Sequence, residues 1–83
     1  MNIYKLISGD FNRKNRLILD EVLGFVIAAE NEKEARELAS GECGDEGKSV
    51  WINDKHSSCV PIALNTDLIT ESQIILRDFS YGG

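Results

Sequence analysis

Histidine, proline, methionine and tryptophan each occur once in this 83-residue chain, and cysteine twice. The one histidine and the two cysteines, in the spacing C-x12-H-x2-C (Cys43, His56, Cys59), leave a structural zinc set incomplete, because such a site takes four nitrogen or sulfur ligands. Two cysteines allow at most one disulfide, so this is no disulfide scaffold, and free thiols are expected in a reducing compartment. No apolar run approaches the ~20 residues of a membrane span. The opening MNIYKLISGD has one early lysine and no long apolar stretch, so no signal peptide is expected and the chain reads as cytoplasmic. Positive charge is also scarce, with 9 Lys and Arg against 14 Asp and Glu, a net charge of −5. Most of such a surface repels a polyanion, and aromatic and basic residues are not interleaved for base stacking, so direct nucleic-acid binding is not expected.

A hydrophobic fraction of 42% and a charged fraction of 28% describe an ordinary globular chain, and its length suits a single domain. The clearest signal is VLGFVIAA at Val22–Ala29, followed by EKEARELAS. The first is a strand: Leu23, Phe25, Ile27 and Ala29 alternate onto one face, with Val22, Gly24, Val26 and Ala28 on the other. The larger face is expected to lie under a helix. That helix starts at the N-cap Asn31, with Glu34 three residues on in the manner of a capping box. Its apolar stripe is Ala35, Leu38 and Ala39, Gly41 is expected as its C′ residue, and Glu32, Lys33, Arg36 and Glu37 are expected to face outward.

Three further strands are expected. Ile3–Ser8 directs Tyr4 and Leu6 one way and Ile3 and Ile7 the other. Ser58–Leu64 carries the only proline, Pro61, which suits an edge strand, and Val60, Ile62 and Leu64 share a face. Gln73–Ser80 is the last strand, with Tyr81 to Gly83 as a tail. Residues 9–16 read as a long hairpin loop, residues 17–21 are open, and Val50, Trp51 and Ile52 read as a plug at one end of the core, followed by a turn or short helical piece. The fold class is therefore α+β, ordered β-β-α-β-β, with a four-stranded, mainly antiparallel sheet and one helix packed on one face. Several strands have apolar residues on both sides, so the second face is either covered by residues 9–20 and 65–72 or open as an interface for a twin or a partner.

No constellation brings together the groups that catalysis needs, and neither enzymatic activity nor a cofactor is expected. His56 adjoins Ser57, Ser58 and Cys59, but neighbours in sequence rarely form a nucleophile–base pair, and a surface histidine explains it as well. The run GDEGKS resembles the end of a Walker motif, yet Glu42 stands where the motif needs a glycine, and the loop is acidic and follows a helix. Glu42, Asp45 and Glu46 lack the alternating ligand spacing of an EF-hand. The acidity concentrates in residues 30–55, which hold eight acidic and four basic groups. The expected partner-binding residues are Glu30, Glu32, Glu34, Glu37, Glu42, Asp45, Glu46 and Asp54, which would attract a basic surface.

FVIAAENEKEARELA, the VW at Val50–Trp51 and the terminal IILRDFSYGG resemble a loose set of small proteins encoded by bacteriophages and prophages. These carry a strand ending in V-x-A, a helix beginning E-x-EAR, a lone Trp and a terminal ViLxxF-x-xG. The matching residues are Val26, Ala28, Ala29, Glu34, Ala35, Arg36, Trp51, Ile75, Leu76, Phe79 and Gly82 or Gly83. Small acidic phage proteins of this kind include inhibitors of bacterial defence nucleases, anti-CRISPR proteins among them. The resemblance implies a protein that inhibits a host nucleic-acid-handling complex by covering a basic surface of the host protein or ribonucleoprotein. The alternative is a dimeric structural or assembly module that uses the open sheet face.

Overall fold

The alternation that marks Ile3–Ser8 and Val22–Ala29 as strands also pairs them, because two amphipathic ribbons joined by a reversal can bury one common face. In the computed structural model they form β1 (Asn2–Ser8) and β2 (Asp20–Ala29), antiparallel, with Tyr4 opposite Ile27 and Leu6 opposite Phe25. The structure describes residues 1–9, 20–44 and 47–81, without the side chains of 20, 21 and 79–81. The expected loop at 10–16, the open stretch 17–19 and the last two glycines lie outside the described residues. β3 (Ser57–Ala63) and β4 (Gln73–Tyr81) complete an antiparallel sheet in the order β3-β1-β2-β4. The hairpin is thus central and Pro61 lies on an edge strand, as its missing N–H requires. Tyr81 belongs to β4 and not to a tail.

Both helices lie against one face. α1 (Glu32–Gly41) buries Ala35 and Ala39, and α2 (Lys48–Ile52) buries Val50 and Trp51. Trp51 is fully enclosed and meets Phe25 edge to face, with ring centroids 4.8 Å apart. The plug is therefore a helix of its own, and the turn follows it at residues 54–56. Ile52 does not join it and is half exposed.

Two β-bulges change which residues reach the core. One extra residue in β2 at Leu23, between the pairs Val22–Phe79 and Gly24–Asp78, turns Val22 into the core beside Phe25. Strict alternation puts Val22 on the other face. A second extra residue, Ile75 in β4, separates Ile74 from Leu76, which alternation keeps together. Ile74 packs on the core and Leu76 is turned outward. A third shift, in β3 between Pro61 and Ala63, breaks the alternation expected of Val60, Ile62 and Leu64.

Candidate functional site

Asn31 caps α1 by accepting the N–H of Glu34 at 2.8 Å, and the Glu34 carboxylate accepts the N–H of Glu30 at 2.9 Å. Glu34 also accepts the Ser72 hydroxyl, so it links α1 to the segment before β4. These bonds, that from Ser72 foremost, hold its carboxyl below the usual carboxylate range. At the other end α1 closes without a left-handed glycine: Gly41 is the last helical residue and Glu42 is the cap, its N–H donating to Ala39 O at 3.1 Å.

Arg36 departs most from expectation. It is not on the outer face but is 7% exposed, between both helices and β3. Its Nε donates to Glu32 Oε2 at 2.8 Å, Nη1 to Trp51 O at 3.0 Å and Ser57 Oγ at 2.9 Å, and Nη2 to Ser57 O at 3.2 Å. A buried guanidinium is tolerated only when its donors are used in this way. The sequence carries one hint of this: Arg36 follows Ala35 and precedes Ala39 by three, on the margin of the apolar stripe.

The described carboxylates of the expected acidic set have separate surroundings. Glu32 is held by Arg36, Glu34 by the cap and Ser72, and Glu42 by Arg77 at 3.4 Å. Glu30 is exposed at the start of α1, and Asp54 is exposed at the far end of the molecule, beside Ser8, Gly9 and Ser57. Asp45 and Glu46 lie outside the described residues. Among the described residues of that set, Glu37 and Glu42 come together around a groove, about 430 Å³ in volume, with Leu38, Gly41 and Ile74 also in its lining between α1 and β4.

Among the described residues, the opposite face of the sheet carries no helix. Pairing across the four strands sets its rows: Ser58, Ile7, Gly24, Asp78; then Val60, Lys5, Val26, Leu76; then Ala63, Ile3, Ala28, Gln73. Leu76 is 61% exposed, Val60 49% and Ile7 44%. The segment 65–72 is bonded to the start of β1, through Thr66 N to Met1 O and Asn65 N to Asn2 Oδ1, and leaves Leu68 exposed. At the centre a hollow of about 130 Å³ lies over Gly24, bounded by Lys5, Ile7, Val26, Leu76 and Asp78. Gly24 is required there: a Cβ would stand 2.9 Å from Leu6 O and 3.1 Å from Ile7 Cδ1.

His56 is exposed, and Cys43 and Cys59, not joined in a disulfide, are half-buried thiols packed against the core. Burial pushes the Cys59 thiol up to about 11. No group of three or more metal-ligating side chains occurs among the described residues. No helix among them is long and apolar enough to cross a membrane. The chain matches no protein-family model, no curated protein and no solved structure.

Proposed function

We propose that this chain is a non-catalytic binding protein that acts by covering the surface of a macromolecular partner, with the helix-free face of its sheet making the contact. The observation that carries this reading is the exposed apolar set Val60, Ile7 and Leu76, beside the half-buried Val26, on a face that carries no helix among the described residues. Contiguous apolar surface of this kind marks protein-binding sites. The likeness of FVIAAENEKEARELA and IILRDFSYGG to small phage proteins supports an inhibitor acting in the host cytoplasm on a nucleic-acid-handling defence complex. A second reading, in which acidity engages a basic surface of that complex, is favoured by Glu37 and Glu42 around the α1–β4 groove.

Inhibition of target cleavage by a purified RNA-guided nuclease complex tests both readings. The sheet-face reading expects the chain to inhibit and Leu76→Asp to weaken inhibition at least tenfold, with inhibition by Glu37→Lys/Glu42→Lys close to that of the parent. The acidic reading expects the reverse, together with inhibition that fades as salt rises. Unimpeded cleavage at saturating chain would discard the inhibitor role.

A further inference from the structure

Among the described residues, the three rows of the second sheet face hold two formal charges. Lys5 stands in the middle row on β1, and Asp78 at the β4 end of the adjacent row. Both are exposed, they lie two strands apart, and neither has an ion-pair partner among the described residues. Val60, Val26, Ile3 and Ile7 flank Lys5, and Gly24 and Leu76 adjoin Asp78. A cation and an anion set apart on one face are complementary to the same face of another copy, since a two-fold contact pairs each patch with itself.

We infer that a second copy of this chain occupies the face, in an isologous dimer in which Lys5 of each protomer meets Asp78 of the other. The register fixes where the axis must run. Lys5 and Asp78 flank β2 on either side, one row apart, so the two-fold passes over β2 between Gly24 and Val26, at the central hollow. Ile7, Val26 and Leu76 then fall beside the axis, and the Gly24 hollow receives aliphatic side chains from the facing copy. Four strands at ~4.8 Å spacing and about seven residues at ~3.3 Å give a footprint of roughly 440 Å² before side-chain relief. Relief and the apolar rim at Ile62 raise the buried area toward the ~600 Å² per partner of small, reversible interfaces. An interface of this size suits a dimer in reversible exchange with monomer.

This inference rests on the sheet-face reading, and sedimentation equilibrium of the full chain from about 1 to 500 μM tests the two separately. The parent chain is expected to show concentration-dependent dimer. Leu76→Asp, at a position already exposed and so harmless to the fold, is expected to raise the dissociation constant at least tenfold. Lys5→Glu alone and Asp78→Lys alone each set like charges against one another and weaken the dimer several-fold. The double exchange Lys5→Glu/Asp78→Lys restores the parent value, because each pair is re-formed with its sign reversed. Circular dichroism confirms that each variant is folded. A parent chain that stays monomeric throughout overturns the dimer, while loss of nuclease inhibition on Leu76→Asp in that case keeps the face as the site for another partner. A dimer unmoved by Leu76→Asp overturns the face itself, and a double exchange no better than the singles overturns the Lys5–Asp78 pairing.

Discussion

Arg36 sets the sharpest test of how the fold is held. Its guanidinium donates to three buried oxygens, those of Trp51 and Ser57, and to the half-exposed Glu32 carboxylate. Each buried bond contributes ~1 kcal/mol net, since the gain from a charged donor is offset by its own desolvation. The exposed i, i+4 pair adds ~0.3–0.5 kcal/mol. Arg36→Met keeps most of the aliphatic stem and withdraws all four donations, so the expected loss is about 3 kcal/mol. A domain of this size has roughly 4–12 kcal/mol in total, so the variant stands near its folding threshold. Trp51 is the sole tryptophan and is fully enclosed, and its fluorescence reports urea unfolding directly. At ~1 kcal/mol per molar of urea the midpoint falls by about 3 M. Arg36→Lys, with a point charge in place of a planar fork, should lie between the two. Glu32→Gln should change stability by under ~0.5 kcal/mol. A midpoint for Arg36→Met within ~0.5 M of the parent would refute the bridging role and return Arg36 to the outer face.

Gly24→Ala forces a methyl group against the Leu6 carbonyl and Ile7 Cδ1 and should cost ~1–3 kcal/mol in the same melts; Ile7→Ala recovers part of it, and a neutral Gly24→Ala would mean the strands separate there without penalty. The Glu34 carboxyl titrates below its ordinary 4.5 when folded, so its contribution is present above that pH and is lost as pH falls through the lowered value. Thermal melts between pH 7 and 3 should show an acid limb that Glu34→Gln flattens, and an unchanged limb would deny the Ser72 and Glu30 bonds their role. Cys59, raised from 9.0 to about 11, should be alkylated by iodoacetamide at pH 8 roughly a hundredfold more slowly than an unstructured cysteine peptide; comparable rates by mass spectrometry would contradict its burial.

Local signals foretold the local structure. Strand alternation in β1, the Asn31–Glu34 cap and the Pro61 edge all depend on neighbours within a few residues, and each is found in the fold. The α+β class follows from them. Where a period of two was extended through a strand, the bulges at Leu23 and Ile75 intervened, because an inserted residue leaves no mark in composition. Arg36 misled for another reason. Its type argues for solvent, and only the nearby Trp51 and Ser57 carbonyls, brought together by tertiary packing, give its donors somewhere to go. Net charge says how many carboxylates there are but not where they sit. Their spread over both ends of α1 and the distant turn at Asp54 is decided by topology. The two-sided apolar strands did point to a second apolar face, yet the Lys5–Asp78 arrangement needed the register of three strands.

The strand order also bears on how the chain reaches this fold. β1 and β2 can pair as soon as both exist, but β3 meets β1 through Ser8–Ser57 and β4 meets β2 through Phe25–Arg77, each closing a loop of about fifty residues. Until those closures the central hairpin has two open edges and an apolar face on each side. A chain emerging from its N-terminus keeps the β2 edge open until residues 73–81 have been made, a stage at which edge-to-edge association with other chains competes with folding. Refolding is then expected to be slow for so small a domain and to lose yield as concentration rises.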